Sequence, residues 1–273
     1  MIKSSAIGVY DSGFGGLSVW RELRRLLPEE SLTYLGDGKN CPYGGRSREA
    51  IIGFADQAVE RLLAEGVKLI VVGCNTATTA AIDYLRERWP ELPIVGLEPA
   101  VKPACLTTRS RRIAVLATEH SLQSDMFLRT ASRYAEDVEV IKVVGRNFVE
   151  IVEASEEHTE RAERAVRSVV EPLVGSGVDR IVLGCTHYPF LRPLIERVVE
   201  GSDIEVIDSG EAVARRVKWL LERYDIAAAQ GSKPEFKFLT FADEQYRKRL
   251  ELKAQSIELE LNKELKRLTI YGN

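Results

Sequence analysis

Two cysteines stand in matching local sequences. Cys74 ends the run Val67-Lys-Leu-Ile-Val-Val-Gly-Cys, and Cys185 ends the run Val178-Asp-Arg-Ile-Val-Leu-Gly-Cys. Each thiol follows an apolar stretch typical of a buried strand, and a polar residue that opens a predicted helix comes next. The N-terminus of a helix carries a partial positive charge, which favours the thiolate. We therefore predict two reactive thiols on equivalent loops, not two buried structural residues.

Two thiols that face each other across a ligand suit one particular reaction. Inversion of a carbon centre needs one group that removes a proton from one face and a second group that delivers a proton to the other face. A thiol has an unperturbed pKa of about 8.5, so modest tuning lets it serve in either protonation state near neutral pH. The pair Cys74 and Cys185 thus favours proton transfer at the α-carbon of an amino acid.

Polar residues next to the same predicted strand ends complete the candidate site. Asp11 follows the first predicted strand and is expected to project into the same crevice. His187 lies two residues after Cys185, where it can exchange or orient a proton. A carboxylate of the bound molecule is best held by backbone amides and hydroxyls. Candidate donors of this kind are Ser12, Asn75, Thr76 and Thr186.

The segment 36–47 is rich in glycine, proline and short polar residues. It is predicted to be a loop that enters a helix at Ser47. Its composition fits two functions equally well. The loop can lay backbone amides and the Tyr43 hydroxyl on a small anion, or it can be a connector.

The two remaining cysteines and the possibility of a metal site need separate interpretations. Cys41 and Cys105 lack the strand and glycine context of the other pair, and both are interpreted as structural. Cys185 and His187 are separated by one residue, but no Cys-x-x-Cys and no His-x-x-x-His accompanies them. The spacing therefore predicts no metal site.

Short β-branched runs alternate with longer amphipathic segments along the chain, which is typical of mostly parallel sheets covered by helices. Predicted strands lie near 6–10, 32–36, 68–73, 93–96, 112–117, 137–141, 178–183 and 204–207. Helical spacing of apolar residues is clear over 48–64 and 160–173. The charged segment 242–268 is helical in pattern and is interpreted as a solvated helix packed on the body.

Internal similarity predicts two related halves. Besides the cysteine runs, Ile7-Gly-Val-Tyr-Asp-Ser-Gly is echoed by Ile204-Glu-Val-Ile-Asp-Ser-Gly. We predict an α/β fold of two pseudo-symmetric lobes with mostly parallel sheets. One lobe would comprise 1–97 and 208–273, and the other 98–207. Ligands of such sheets bind beyond the carboxyl ends of the strands, where both echoed cysteines are predicted to lie.

The overall composition argues against several classes of protein. The chain has 273 residues, of which 45% are apolar and 29% are charged, and its formal net charge is −3. No basic run is long enough to track a phosphate backbone, so nucleic-acid binding is not expected. No stretch resembles a secretory signal or reaches membrane-spanning length. We predict a cytoplasmic protein without a membrane partner, in which the cysteines are free thiols.

Five motifs, in this order, resemble those of glutamate racemases, and the resemblance covers essentially the whole chain. They are Asp11-Ser-Gly-Phe-Gly-Gly-Leu-Ser, Cys41-Pro-Tyr-Gly, Gly73-Cys-Asn-Thr-Ala, Leu183-Gly-Cys-Thr-His-Tyr-Pro and Asp208-Ser-Gly. The resemblance implies a cofactor-independent enzyme that supplies D-glutamate for peptidoglycan. It also implies that the active site lies in the cleft between the two α/β lobes.

The same resemblance implies roles for individual residues. In related enzymes the cysteine that matches Cys74 takes the α-proton of D-glutamate, and the cysteine that matches Cys185 takes that of L-glutamate. The matching Asp11, Glu153 and His187 would support them, although chemistry alone does not single out Glu153 among the acidic residues. Substrate contacts implied in this way are Asp11, Ser12, Tyr43, Gly44, Asn75, Thr76, Thr118, Thr186 and His187.

Other interpretations stay open at this point. Gly13-Phe-Gly after the first predicted strand, with Asp37 ending the next, imitates the dinucleotide fingerprint of an oxidoreductase or nucleotide-binding module, although Ser18 stands at the third glycine position. A racemase of aspartate is a second alternative, since one methylene changes binding by only a few kcal/mol. The segment 96–103 resembles relatives that need an activating cell-wall precursor. A homodimer is common among such enzymes, and the sequence decides neither regulation nor oligomeric state.

Overall fold

A computed structural model describes residues 3–271, and the side chains of residues 3–263. The strands are β1 (Ile7–Asp11), β2 (Leu32–Gly36), β3 (Leu69–Val72), β4 (Ile94–Gly96), β5 (Arg112–Ala117), β6 (Glu139–Val144), β7 (Arg180–Leu183), β8 (Glu205–Ile207) and β9 (Phe236–Thr240). The α-helices are α1 (Leu17–Leu26), α2 (Arg48–Ala64), α3 (Asn75–Arg88), α4 (Val101–Thr107), α5 (Glu119–Gln123), α6 (Asp125–Tyr134), α7 (Phe148–Glu153), α8 (Glu160–Val170), α9 (Arg192–Val198), α10 (Gly210–Arg223) and α11 (Glu244–Tyr271). None of these helices combines the length and the apolar character needed to cross a bilayer.

The strands form two sheets in which every pairing is parallel. The first sheet has the order β4-β3-β1-β2-β9, and the second has the order β6-β5-β7-β8. If the second sheet is read from its other edge, four strands have the same order in both sheets. The fourth strand lies beside the third, the third beside the first, and the first beside the second. This repetition confirms the predicted α/β class with two related halves, and it makes β3 and β7 equivalent.

Both sheets are buried on their two faces. In β1, Val9 points into the core layer that contains Trp20 of α1, whereas Tyr10 points into the layer that contains α2 and α3. In β5, Ala114 and Val115 likewise enter opposite layers. Side chains alternate between the faces of a strand, so helices on both faces require apolar residues at successive positions. The continuous apolar runs that precede the two cysteines follow from this burial.

The second sequence echo has a local origin. β1 is equivalent to β5 and not to β8, so the segments 7–13 and 204–210 do not occupy equivalent places in the two sheets. In each segment the aspartate accepts a hydrogen bond from the glycine N–H two residues later. The Gly13 N to Asp11 Oδ1 distance is 2.7 Å, and the same turn closes at 2.8 Å after Asp208. Asp-Ser-Gly recurs because the same type of turn leaves both strands.

Most predicted elements are confirmed. The eight predicted strands are present, six of them with shifted ends, and the helix predicted over 48–64 is α2. Ser47 begins this helix as predicted, since its hydroxyl accepts a hydrogen bond from the Ala50 N–H at 3.2 Å. The predicted helix over 160–173 is shorter: α8 ends at Val170, and a 3-10 helix over Glu171–Leu173 follows. Pro172 has no N–H to continue the α-helical hydrogen bonds.

The carboxyl-terminal part differs most from expectation. The sequence analysis missed β9, a strand at the edge of the first sheet whose Phe-Lys-Phe-Leu-Thr alternation was the available signal. The helix α11 is confirmed, but it is more than a solvated helix. Four of its residues at three- and four-residue spacing enter the core of the first sheet, namely Leu250, Ala254, Ile257 and Leu261. The contacts of its polar face reach the second half of the chain, as described below.

The lobe boundaries near 97 and 208 stay a prediction. β5 to β8 fall between these two positions, and the chain returns to the first sheet at β9. Residues 1–2 and 272–273, which the prediction assigns to the first lobe, lie outside the described residues.

Candidate active site

Cys74 and Cys185 line one cavity. Each follows its strand, β3 or β7, after a single glycine, so both lie at the carboxyl ends of the sheets. The cavity has a volume of about 210 Å³, and residues of both halves of the chain form its wall. The two side chains are almost completely buried, with 5% and 7% of their surface exposed. Two thiols from equivalent strands therefore approach the same space.

Cys74 is the N-cap residue of α3. The Ala77 N–H donates to its Sγ at 3.4 Å, and the thiol donates to Ser12 Oγ at 3.6 Å. Burial, followed by the charge of Asp11, raises the pKa of Cys74 to about 12 against the opposing effect of the two hydrogen bonds. The helix N-terminus is expected to favour the thiolate, but the loss of hydration outweighs this effect, and the raised pKa favours the thiol form of Cys74.

The expected helix start after Cys185 is wrong. The Tyr188 N–H bonds to the Cys185 carbonyl at 3.1 Å, which is 3-10 spacing, and a short 3-10 helix over Tyr188–Leu191 precedes α9. Thr186 thus does not open an α-helix, so Cys185 does not face the positive end of a helix of useful length. Its environment is set by side chains.

His187 links Cys185 to Glu153. Its Nδ1 lies 3.7 Å from Cys185 Sγ, and its Nε2 lies 2.7 Å from Glu153 Oε1. Burial lowers the pKa of His187, but the hydrogen bonds and charges of both neighbours outweigh burial and hold this pKa well above its usual range. Burial raises the pKa of Glu153, but His187 and further donors reverse the effect and lower it. Both directions indicate an imidazolium paired with a carboxylate, beside the thiol.

Asp11 connects the first sheet to the second cysteine. It is completely buried, and its Oδ2 accepts a hydrogen bond from the Thr186 hydroxyl at 3.0 Å. Burial raises the pKa of this carboxyl to about 6, although the nearby His187 lowers it. Thr186 lines the cavity, but Asp11, which was expected to project into it, does not, and it reaches the wall through its hydrogen bond with this hydroxyl.

The remaining predicted substrate contacts all line the cavity: Ser12, Tyr43, Gly44, Asn75, Thr76, Thr118 and Thr186. Thr76 Oγ1 lies 3.3 Å from Thr118 Oγ1, which joins the start of α3 to the start of α5. Thr118 in turn donates to Ser121 Oγ at 3.0 Å. Wall residues that the sequence analysis did not select include Glu119, Arg146, Asn147, Val149 and Glu150. A row of hydroxyls and helix N-termini therefore spans both halves of the wall.

The Tyr43 hydroxyl is not free to bind a ligand. It donates to Asp37 Oδ2 at 2.6 Å, and the Tyr10 hydroxyl lies at the same distance. The side chain is 1% exposed. If the loop 36–47 binds an anion, the backbone around Gly44 is thus the part that can do so.

The glycines after β1 allow a close approach between the two halves. A Cβ on Gly13 would lie 2.1 Å from Glu153 Oε1, and a Cβ on Gly15 would lie 2.4 Å from His187 Nδ1. Between them, the Phe14 N–H donates to Glu153 Oε1 at 2.7 Å. The space that a pyrophosphate would need in a dinucleotide fingerprint is filled by these side chains. The glycines are required because the backbone passes directly over the acid-base pair.

Known proteins resemble this chain along most of its length. The profile of the Asp/Glu/Hydantoin racemase family matches residues 13–217. The glutamate racemase of Ectopseudomonas mendocina is 48% identical over 228 residues, which cover 84% of this chain and 86% of that protein. The chain belongs to the glutamate racemase family.

Further members agree with this family assignment. The glutamate racemase of Herpetosiphon aurantiacus is 45% identical over 242 residues, which cover 89% of this chain and 94% of that protein. The crystal structure of Escherichia coli glutamate racemase, in complex with L-glutamate and the activator UDP-MurNAc-ala, superposes with a TM-score of 0.81. It is 30% identical and the match covers 93% of this chain and 95% of that one. The glutamate racemase fold therefore includes both sheets.

Three residues of this chain lie around Glu153, and the sequence analysis did not select them as functional. The Tyr246 hydroxyl donates to Glu153 Oε2 at 2.9 Å, and the Arg249 guanidinium donates to the Glu153 carbonyl. The Cys41 thiol, interpreted as structural, lies beside the same carboxylate. Nothing in the local sequence of α11 distinguishes Tyr246 or Arg249 from other polar helix residues. The contacts exist because α11 crosses from the first sheet to α7.

Three possible metal ligands lie together within the part of the chain whose side chains are described. Ligand atoms of Cys41, Glu153 and His187 all lie within 4.8 Å of one another. Glu153 and His187 already bond to each other at 2.7 Å, and Phe14 and Tyr246 use the same carboxylate. A cation there would have to replace these hydrogen bonds. The geometry favours a hydrogen-bonded network around Glu153.

Proposed function

We propose that this chain is a glutamate racemase that interconverts L-glutamate and D-glutamate, with two cysteine thiols as acid and base and without a cofactor. One observation carries the proposal: Cys74 and Cys185 follow equivalent strands of two sheets with the same order and line the same cavity. Membership of the glutamate racemase family supports the substrate. So does the likeness to the Escherichia coli enzyme in complex with L-glutamate.

The reaction moves one proton to the enzyme and one proton back. Starting from L-glutamate, the thiolate of Cys185 removes the α-proton, and the electron pair of the broken C–H bond stays on the α-carbon and its carboxylate. The thiol of Cys74 then delivers its proton to the opposite face, which forms D-glutamate. The raised pKa of Cys74, about 12, suits a proton donor. The ammonium group of the substrate brings positive charge into the cavity, which lowers the pKa of a thiol and assists the reverse reaction.

The surrounding polar groups hold the substrate and the two bases. The N–H groups of Asn75 and Thr76 lie in the first turn of α3, where a substrate carboxylate and the developing negative charge are stabilised. The hydroxyls of Thr118 and Thr186 also line the cavity. We infer that Ser12 holds Cys74 in place. Asp11, His187 and Glu153 are inferred to orient Cys185 and Thr186 and to exchange protons with them.

The proposal is tested by circular dichroism of purified protein with L-glutamate, D-glutamate and both enantiomers of aspartate. We expect the circular dichroism signal of each glutamate enantiomer to decay to zero, because the product is a 1:1 mixture of the two enantiomers, and we expect far slower turnover of aspartate. Faster turnover of aspartate than of glutamate would overturn the substrate assignment. Absence of all turnover, combined with submillimolar NAD binding in a fluorescence titration, would favour the oxidoreductase interpretation instead.

The cellular role follows from the product. We infer that the protein is cytoplasmic and supplies D-glutamate for peptidoglycan, with a small amino acid as its only required partner and neither nucleic acid nor membrane. Expression in a bacterium that depends on added D-glutamate should restore growth, and a Cys74→Ala variant should not. The expected homodimer is tested by analytical ultracentrifugation with and without glutamate.

A further inference from the structure

The long helix α11 contributes a hydroxyl that is joined to the candidate active site by hydrogen bonds. Tyr246, two residues after the start of this helix, donates its hydroxyl hydrogen to Glu153 Oε2 at 2.9 Å. The other oxygen of the same carboxylate contacts His187 Nε2 and the Phe14 N–H, both at 2.7 Å. A continuous chain of hydrogen-bonded groups therefore runs from α11 through Glu153 and His187 to Cys185.

We propose that Tyr246 is a positioning residue for the Cys185 half of the racemase reaction, because its hydroxyl fixes the Glu153 carboxylate that orients His187 against the thiol. This inference rests on the proposed function and goes beyond it. It gives α11 a role in proton transfer in addition to packing.

The ring of Tyr246 is itself held firmly. It stacks on Phe14 with ring centres 4.9 Å apart and an angle of 13° between the planes. The Arg249 guanidinium lies 4.9 Å from the centre of the Phe14 ring. It also donates a hydrogen bond to the Glu153 carbonyl. Phe14 contributes its N–H to the same carboxylate, so the stack positions two donors at once. The ring stack and the neighbouring guanidinium thus hold the Tyr246 hydroxyl in position against Glu153.

The hydroxyl also contributes to the charge balance at Glu153. The titratable groups that interact with this carboxylate are His187 from the loop after β7, Asp11 from β1, Tyr34 from β2, Cys41 from the loop after β2, and Tyr246 from α11. Arg249, also from α11, bonds to the Glu153 carbonyl. The hydrogen bond from Tyr246 is one of the contributions that lower the pKa of Glu153. Without it this pKa rises, and the carboxylate loses one of its two fixed oxygens.

The effect should be confined to one half of the reaction. Cys74 bonds to Ser12 and to the Ala77 N–H, and neither group contacts Glu153 or Tyr246 in the described structure. A change at Tyr246 therefore raises the barrier for proton transfer at Cys185 and leaves the barrier at Cys74 unchanged.

The test replaces Tyr246→Phe, which keeps the ring and its stack and removes only the hydroxyl. The two enantiomers have equal free energies, so kcat/KM must fall equally in both directions, and we expect a fall of about tenfold, as for one hydrogen bond to a charged group. Primary deuterium isotope effects then separate the two halves. The isotope effect with L-[2-²H]glutamate should increase, because transfer at Cys185 becomes more rate-limiting, and the effect with D-[2-²H]glutamate should decrease.

Two further measurements show whether Tyr246 acts through Glu153. The acidic limb of the pH profile of kcat/KM should move to higher pH in Tyr246→Phe, since the Glu153 carboxylate is protonated more easily. On a Glu153→Gln background the same substitution should have almost no additional effect, whereas independent roles would give additive losses. Tyr224→Phe, at a half-exposed tyrosine after α10, is the matched control and should leave all values unchanged.

The outcomes separate this inference from the proposed function. A wild-type protein without racemase activity would overturn the proposed function. An active wild type, together with a Tyr246→Phe variant whose two isotope effects are unchanged or change in the same direction, would overturn the positioning role. A variant with a lower thermal midpoint but normal isotope effects would likewise show that Tyr246 serves stability alone.

Discussion

The surroundings of the two cysteines differ, although both follow the same strand and glycine pattern. Cys74 caps an α-helix of fourteen residues and contacts Ser12, and burial holds its pKa at about 12. Cys185 has no such helix and is contacted by His187, which pairs with Glu153 and, through it, with α11. A repeated fold has thus placed two thiols symmetrically and supported them by different chemistry.

This difference suits a reaction whose two substrates are mirror images. A racemase needs one base on each face of the α-carbon, but nothing requires the bases to be tuned in the same way. Burial raises the pKa of Cys74, whereas Cys185 lies beside His187, which pairs with Glu153. We expect the two half-reactions to respond differently to substitution, and the predictions below use that expectation.

The largest effect is expected when either thiol is removed. Cys74→Ala and Cys185→Ala should each lower kcat for racemisation by at least about 10³-fold, since each removes the acid or base of one face. Circular dichroism at saturating glutamate measures the loss, and thermal unfolding checks that the fold remains. Cys105→Ala, in α4 and outside the cavity, is the matched control. Normal turnover in either active-site variant would exclude the two-thiol mechanism.

Smaller effects on kcat/KM should distinguish the residue that contacts Cys185 from the residue that contacts Cys74. His187→Gln is expected to lower kcat/KM by about 10²-fold and to increase the isotope effect with L-[2-²H]glutamate, because it impairs transfer at Cys185. Ser12→Ala should lower kcat/KM a few-fold and increase the isotope effect with D-[2-²H]glutamate instead, because it contacts Cys74. If both variants increased the same isotope effect, the division into two independent supports would be wrong.

Substitution of Asp11 should change the free energy of unfolding as well as the activity. Its pKa is about 6 in the folded protein against 3.8 for the unperturbed group, so the folded state binds more protons between about pH 4 and pH 6. Stability is therefore lost as the pH rises through this range. Asp11→Asn removes the charge and should raise the free energy of unfolding at pH 7 by roughly 2 kcal/mol while lowering activity.

Urea unfolding at pH 7 and pH 4 checks this prediction. Most of the gain should disappear at pH 4, where Asp11 is protonated in the folded state and partly protonated in the unfolded state. A gain that is equal at both pH values would mean that the buried charge is not its cause.

The smallest expected effect concerns the wall shared by both halves. Thr118→Val keeps the shape of the side chain and removes a hydroxyl that contacts Thr76 and lines the cavity. We expect KM for both enantiomers to rise about fivefold with little change in kcat, which corresponds to one neutral hydrogen bond. Thr130→Val, in α6 and outside the cavity, is the control. Unchanged KM values for both enantiomers would show that this hydroxyl does not contribute to substrate binding.

Much of the fold could be predicted because the signals were local. Apolar runs, turn residues and helical spacing located eight strands and the start of α2 at Ser47. The strand β9 was missed because an edge strand buries little surface and needs no continuous apolar run. The similarity between the two Asp-Ser-Gly segments was misleading. A turn motif of this kind depends on local hydrogen bonds and does not indicate the position of a strand in a sheet.

The sequence by itself determined the pair of thiols, the polar residues beside them and the family. These follow from residue types and spacings that lie close together in the chain. The tertiary structure decided how each thiol is supported. Three features depend on burial and on contacts made in the folded chain. They are the raised pKa of Cys74, the histidine that contacts Cys185 in place of a helix, and the hydrogen bond from Tyr246 to Glu153. A pKa shift as large as that of Cys74 arises only where folding excludes water from the side chain, and only the tertiary structure shows where this occurs.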